Sequence, residues 1–376
     1  MIPATIRFSL LIFSLLSAVI AESSELRRFV TNSRLSLGTQ ENLTASLRIG
    51  DLDGDDDLDI AVANGRHWPQ QNFVFFNQGR SRFNLARPLG LDLATSYATE
   101  LADLDNDGDL DIAVGNDTAP NAIFLNDGQG RFEHHGAFGS PSSIRSLTLA
   151  DIDLDGDIDI LANARGRQNL IYFNDGAAHF SETRTFGTTK DSTIDTAVAD
   201  LNQDGLPDLV LANRDAQQNV VLINTGDASF EKRIPFGSGK DETRGIAIAD
   251  LNGDGHLDWV TGNIGQANAV YLGDGTGAFK ESILFGRKDG QTYVVVIADM
   301  NNDRSPDIIV GNAGQTNAVF FNDGDGLRFN EVPFGDASDA TYNLAVGDLN
   351  KSGYQDIAVA NSNGRNLIYF NLPLKK

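Results

Sequence analysis

The chain has 376 residues, no cysteine, and a formal charge of −23 from 52 acidic against 29 basic side chains. That balance argues against nucleic acid as a partner, since such a ligand needs a basic surface. Without cysteine there is neither a disulfide framework nor a thiolate metal site, so a large core or a hard cation must brace the fold.

At the start, MIPATIRFSLLIFSLLSAVIAESS places Arg7 before an apolar run from Phe8 to Ile20, with small residues at Val19 and Ala21. This predicts a secretory signal peptide over residues 1–21, cleaved after Ala21, with an uncleaved anchor as the alternative. The run is short for a membrane span, and no later stretch approaches that length. The expected product is a secreted or extracytoplasmic (periplasmic or cell-surface) monomer without an integral span, its residues 22–376 forming one domain.

From residue 51 onward one acidic phrase returns seven times: DLDGDDDLD (51–59), DLDNDGDLD (103–111), DIDLDGDID (151–159), DLNQDGLPD (200–208), DLNGDGHLD (250–258), DMNNDRSPD (299–307) and DLNKSGYQD (348–356). Each copy leads into a short apolar run such as IAVAN or LVLAN, then an Asn-bounded loop, then a second run such as NAIFLNDG. A segment like GRFEHHGAFG and a run like SLTLAD lead to the next copy. Four strand-like runs per unit, parted by Asn-Asp-Gly and similar turns, predict β-hairpins throughout. A four-stranded unit of about 50 residues in tandem predicts an all-β, seven-bladed β-propeller, with an open β-solenoid as the alternative.

The chain ends predict how the ring closes. The last unit stops at NLIYFNLPLKK, without the outer segment the others have, and Leu37-Gly38 aligns with Leu89-Gly90, Phe138-Gly139, Phe186-Gly187, Phe236-Gly237, Phe285-Gly286 and Phe334-Gly335. Residues around 28–32 are therefore expected to pair with the last blade and remove an exposed sheet edge.

Carboxylates at positions one, three, five and nine, with Gly at six, suit a hard cation that takes oxygen ligands. The candidate Ca²⁺ ligands in the first three loops are Asp51, Asp53, Asp55 and Asp59; Asp103, Asp105, Asp107 and Asp111; and Asp151, Asp153, Asp155 and Asp159. In the fourth and fifth they are Asp200, Asn202, Asp204 and Asp208, then Asp250, Asn252, Asp254 and Asp258. The sixth offers Asp299, Asn301, Asp303 and Asp307 but carries Arg304 in the Gly position, and the seventh offers Asp348, Asn350 and Asp356 with Ser352 at position five. About five well-formed sites are expected, because a carbonyl amide keeps the oxygen where a bulky cation or a lost carboxylate does not help. Mg²⁺ fits such a cage less well, and Zn²⁺ would want Cys or His, of which only His256 lies in these loops. An EF-hand would need Glu at position twelve between helices; here position twelve is Val62 or Val114, inside a strand-like run. The plain alternative is a set of solvated acidic turns.

The motif D-x-[DN]-x-D-G-x-x-D before an apolar strand, with the recurring Phe-Gly pair, resembles the FG-GAP/VCBS repeat family, the calcium-loop propellers of integrin α-subunit heads and many exported bacterial proteins. The resemblance spans nearly all of residues 22–376. It implies a seven-bladed propeller with Ca²⁺ in the loop joining strands one and two of a blade. It also implies a role as an adhesion or ligand-binding scaffold, a lectin, or in some members a carbohydrate-active enzyme.

Loops at the end opposite the Asp loops carry basic and aromatic side chains: Arg66, His67, Trp68, Arg145, Arg165, Arg214, Arg244 and Arg365, with Tyr97, Tyr293 and Tyr342. Arginines there could grip a carboxylated or sulfated glycan or an acidic extracellular protein by bidentate contacts, and Trp68 could anchor either. The bland alternatives are a solvated face for the arginines and loop packing for Trp68. The Asn residues 64, 116, 213, 263, 312 and 361, one in each of six units, are expected to cap loops. Trp259, inside an apolar run, is expected in the core. No linear signature of a serine hydrolase, zinc protease or P-loop enzyme is present. The main expectation is a binding or adhesion module. The enzymatic alternative is a polysaccharide lyase using His67, Tyr293 or Tyr342 as base and Arg244 as charge neutraliser.

Overall fold

The structure, a computed structural model, describes residues 26–374, and the predicted signal peptide lies outside them. Every regular element is a β-strand; among the described residues there is no helix, hence none long and apolar enough to cross a membrane. The strands form five four-stranded sheets and one of seven strands, each an antiparallel meander at its core.

In one four-stranded sheet the chain runs Ser96–Ala102, Asp111–Asn116, Asn121–Asn126 and Phe132–Phe138, each strand pairing with the next. Sheets of the same order open at Ile144–Ala150, Thr193–Ala199, Thr243–Ala249 and Thr292–Ala298. The second strand of each unit, such as DIAVAN at Asp59–Asn64, is buried at every position. An unbroken apolar run suits that place, where both faces of the strand are covered by neighbouring sheets. The outer strands alternate, with exposed charge between half-buried residues, as in Phe279–Phe285.

A Phe-Gly pair closes four of the outer strands, while Leu89-Gly90 and Phe236-Gly237 lie inside strands that run on to Ala94 and Asp241. Phe138 packs edge-on against Tyr172 of the following unit with ring centroids 5.3 Å apart, and Phe236 meets Tyr271 at 5.0 Å. Gly139 follows in the left-handed region, and a Cβ there would lie 2.2 Å from the Tyr172 hydroxyl. Only glycine satisfies both demands. Trp259 is 1% exposed, in the core as expected.

The seven-stranded sheet arises because two strands are long. Ser36–Gly50 and Asp356–Pro373 each carry two segments that are separate strands elsewhere. Thr341–Gly347 pairs with the first part of Asp356–Pro373, and Arg27–Val30 pairs with its end in the register Arg27↔Pro373 to Val30↔Phe370. Leu37 pairs with Asn366, the place Phe334 takes opposite Asn317 in the unit before. The outer position of the last unit is thus supplied by residues 27–30 and 36–38, interrupted by the turn between them.

The first strands, Ser36–Gly50, Ser96–Ala102, Ile144–Ala150, Thr193–Ala199, Thr243–Ala249, Thr292–Ala298 and Thr341–Gly347, touch one another in that order, and Thr341–Gly347 touches Ser36–Gly50. They line a central cavity of about 540 Å³. Buried asparagines tie the units together. The Asn72 side chain donates to Ser96 Oγ, Asn169 to Thr193, Asn219 to Thr243, Asn317 to Thr341, and Asn366 to Thr44 at 3.0 Å.

Candidate functional site

Each Asp loop joins the first strand of a unit to its second, and its geometry follows from which backbone N–H groups the carboxylates accept. In the first loop Asp51 accepts from Gly54 at 2.8 Å and from Asp56 at 2.9 Å. Asp59, fully buried, accepts from Leu52 at 3.0 Å with one oxygen and from Asn77 at 2.7 Å with the other. The same fork recurs at Asp111, Asp159, Asp208, Asp258 and Asp307. At Asp356 one oxygen accepts from Asn371 at 2.9 Å. The ninth residue therefore clamps its loop to the end of the third strand, a duty the spacing alone did not reveal.

Three loops gather carboxylates closely enough for one ion: Asp51, Asp53 and Asp59; Asp103, Asp105 and Asp111; and Asp151, Asp153 and Asp159 each have one oxygen within 4.8 Å of the others. Among the described residues, buried oxygens of Asp53, Asp105 and Asp151 have no hydrogen-bond partner. Buried acceptors without donors are costly, and a hard cation is the partner these oxygens fit. Burial pushes Asp59 up to about 7, Asp111 and Asp159 to about 6, and Asp307 and Asp356 to about 7. For Asp53, Asp105 and Asp153 burial acts first and neighbouring carboxylates add to it.

The remaining loops bring fewer charges together. Asn202 donates to Asp204 at 2.9 Å and Asn301 to Asp303 at 2.7 Å, so amide and carboxylate satisfy each other. In the fifth loop Lys280 lies 3.2 Å from Asp254. In the seventh, Ser352 Oγ accepts from Tyr354, while the Asn350 side-chain oxygen is buried without a partner among the described residues.

At the opposite end, every first strand carries a one-residue bulge. The register shifts fall between Thr44 and Ser46, Ser96 and Ala98, Ile144 and Ser146, Thr193 and Asp195, Thr243 and Gly245, Thr292 and Val294, and Thr341 and Asn343. The bulged residues are Ala45, Tyr97, Arg145, Ile194, Arg244, Tyr293 and Tyr342, and all but Ile194 line the cavity. A bulge re-aims a side chain that the pleat would send elsewhere. Here it turns five polar side chains toward one mouth.

These side chains form a connected set. The guanidinium of Arg66 lies 4.1 Å over the Tyr342 ring, that of Arg145 lies 4.4 Å over Tyr97, and that of Arg244 lies 5.7 Å from Tyr293. Tyr293 and Tyr342 have ring centroids 4.7 Å apart. His67 contacts Tyr97 Oη through Nδ1 at 3.0 Å and Arg66 through Nε2 at 3.0 Å. Burial, then Arg66 and Arg145, hold His67 below its ordinary value, so it is neutral near pH 7. Burial pushes Tyr97 and Tyr342 up, which keeps both phenols protonated. Deeper in the cavity Arg48 grips Glu100, Nε to Oε2 at 2.6 Å, and Asp195 accepts from the Ile246 backbone at 3.2 Å.

The other predicted face residues lie outside this mouth. Arg165 is paired with Asp215 of the next unit, and Arg214 lies 3.4 Å from Glu242. Arg365 lines a separate groove with Arg34, Arg80, Arg82, Phe83 and Phe370. Trp68 stands beside His67, 71% exposed, so it does not pack under a neighbouring loop. The repeated loop asparagines are buried and cap strand ends, Asn64 accepting from Thr44 and donating to the Gln71 carbonyl. Sequence reasoning passed over Arg48, Glu100 and Asp195. Their signal was a charged residue in the run that leads into an Asp loop.

Repeated four-stranded antiparallel sheets set about a shared cavity define a protein of the β-propeller type. The sequence model of the FG-GAP-like repeat matches residues 51–114, 103–162, 151–211, 200–261, 250–310 and 299–359, and the chain belongs to that family. The family model counts six repeats; each match opens on one Asp loop and closes just past the next, so together they take in all seven loops. Among solved structures, the fold is similar to BBS1N crystallised in complex with ARL6DN and soaked with mercury. That likeness has a TM-score of 0.63 and 14% identity, over 92% of this chain and 97% of that one. It is similar also to the WD40 β-propeller domain of Doa1, with a TM-score of 0.60 and 10% identity over 90% and 96% of the two chains. No curated protein matches in sequence.

Proposed function

We propose that the protein is a secreted, monomeric, calcium-braced seven-bladed propeller that binds a glycan or an extracellular protein on the face opposite its Asp loops. The observation that carries the binding role is the bulge in each first strand, which converges Tyr97, Arg145, Arg244, Tyr293 and Tyr342 on one mouth. A repeat that needed only to pack would have no use for three tyrosines and two arginines there.

The mature domain is residues 22–376, and its ring is closed by the N-terminal strand. Support comes from the pairing of Arg27–Val30 with the chain end, and from Leu37 standing opposite Asn366. Two side-chain bonds across the same junction, Asn366 to Thr44 and Asn77 to the Leu349 carbonyl, support it too. Calcium would be held by the acidic residues of the Asp loops, best in the first three, where the partnerless oxygens of Asp53, Asp105 and Asp151 sit. The ion supplies positive charge that lets neighbouring carboxylates stay ionised. The protein-ligand arm has a structural precedent in BBS1N, a propeller of like fold crystallised with a protein partner.

The test is a panel of acidic and neutral polysaccharides and extracellular proteins, with retention and unsaturated-product absorbance read together. Retention without product is expected. Product formation lost in His67, Tyr293 or Tyr342 variants would replace this reading with the lyase.

A further inference from the structure

The charges around the cavity are distributed unevenly along its axis. Its interior acids are occupied: Glu100 is gripped by Arg48, and Asp195 accepts backbone N–H groups from Thr196 and Ile246. At the mouth the reverse holds. Arg145 has Asp117 at 3.3 Å, but among the described residues Arg66 bonds only neutral groups, Ser362 Oγ at 3.1 Å and His67. Among the described residues, Arg244 has no hydrogen bond or ion pair, and Asp195 is the carboxylate whose charge acts on it. Among the described residues neither Arg66 nor Arg244 makes an ion pair, and they lie over Tyr342 and Tyr293, whose rings are 4.7 Å apart and tilted by 54°.

The Tyr342 ring, 4.1 Å from the Arg66 guanidinium, limits that group's freedom in advance, which lowers the entropy lost when it grips a ligand. An anionic group reaching either guanidinium would gain charge-assisted hydrogen bonds. Below the mouth Arg48 is already paired with Glu100 and gives a second anion little to bind, so the group would stop at the mouth rather than pass into the cavity. Lining hydroxyls from Tyr97, Tyr293 and Tyr342 offer neutral partners around the charge. On the rim Trp68, 71% exposed next to Arg66 and His67, presents a free aromatic face of the kind a sugar ring covers. The mouth opens on a cavity of about 540 Å³, a size that favours a sugar ring with its substituent over a protein surface.

We propose that the cavity mouth, with Arg66 and Arg244 as its cationic side chains, is a subsite for the carboxylate or sulfate groups of an acidic glycan. This rests on the binding-module reading and names its ligand chemistry. The test uses the full secreted chain in calcium, with a galacturonate trisaccharide, a sulfated trisaccharide, a neutral trisaccharide and a tri-glutamate peptide as probes in titration calorimetry. At least one acidic sugar is expected to bind, with affinity falling steeply as salt is raised. Arg66→Gln and Arg244→Gln should each weaken that binding about tenfold or more, while Arg244→Lys retains part of it. Carboxylate and sulfate arms decide which anion is preferred.

Melting temperatures of the variants guard against misfolding, and Arg66 sits in a loop, so changing it leaves the strand backbone intact. Equal binding of the neutral trisaccharide, or wild-type affinity in both glutamine variants, would overturn the subsite and leave the binding-module reading standing. Tighter binding of tri-glutamate than of either acidic sugar would overturn the glycan assignment. No binding by any probe would also overturn the subsite. The wider panel of polysaccharides and proteins would then decide the parent reading separately.

Discussion

Position six of the Asp loop has positive φ in all seven copies, 66° at Asp56, 73° at Arg304 and between 82° and 100° at the five glycines. A side chain there meets no obstacle, since a Cβ built on Gly108, Gly156, Gly205, Gly255 or Gly353 has nothing within 4 Å. The cost at Asp56 and Arg304 is thus backbone strain alone, partly offset by the lower entropy of a non-glycine unfolded chain. Arg304→Gly should stabilise the protein by roughly 0.5–1 kcal/mol in denaturant titration. A loss of stability would mean that the Arg304 side chain has a role the strain conceals. This position was legible because glycine marks it. Position four is left-handed as well, at Gly54, Asn106, Leu154, Gln203, Gly253, Asn302 and Lys351, and was not legible, because its residues share no type. Two further substitutions separate clamp from cage. Asp111→Asn puts an amide where two N–H groups donate, and should cost about 1–3 kcal/mol with or without calcium. Asp105→Asn removes only an oxygen that lacks a donor, so it should be harmless in chelator and destabilising in calcium. Equal costs for Asp105→Asn in both buffers would sink the assignment of Asp105 to the ion.

The strands and their order were readable because period, turn chemistry and the Phe-Gly pair agree with one another in every unit. The bulges were not, since one extra residue in a strand leaves no mark in hydrophobicity. They become visible only when units are aligned on the hydroxyl that begins the first strand, at Thr44, Ser96, Thr193, Thr243, Thr292 and Thr341. That alignment would have separated Arg145 and Arg244, which face the cavity, from Arg165 and Arg214, which pair with Asp215 and Glu242. The N-terminal strand carries a prediction of its own. Arg27 donates to Asn371 at 2.8 Å, and the Phe29 ring lies 5.6 Å from Phe334. Deleting residues 22–36 strips this ladder and uncovers the long edge of Asp356–Pro373. Phe29 is partly buried there, so its loss is worth less than the ~1.5–3 kcal/mol of a fully buried ring. The truncated protein should melt several degrees lower and associate through the freed edge. Unchanged melting and a monomeric elution profile would show that the strand does not brace the ring.

For the whole molecule, acidic loops that hold calcium as proposed would couple stability to both the ion and pH, with opposite signs. Burial raises the folded pKa of Asp59, Asp111, Asp159, Asp208, Asp258, Asp307 and Asp356 to between about 6 and about 7, against about 4 for an unfolded carboxyl. A carboxyl whose folded pKa is raised disfavours the fold while it is ionised, and that penalty is lifted as pH falls through the folded value. In chelator, the melting temperature should therefore rise as pH is lowered from about 8 to about 5.5. Bound calcium reverses the preference, because it needs the ligands ionised and competes with protons for them. In excess calcium the melting temperature should be higher than in chelator at pH 8, by many degrees if several loops fill. The gap should shrink toward pH 5.5 as protons displace the ion. Differential scanning across that range in both buffers checks the claim. A gap that stays constant with pH would mean that these carboxylates do not hold the ion, and no gap at pH 8 would mean that calcium does not brace the ring.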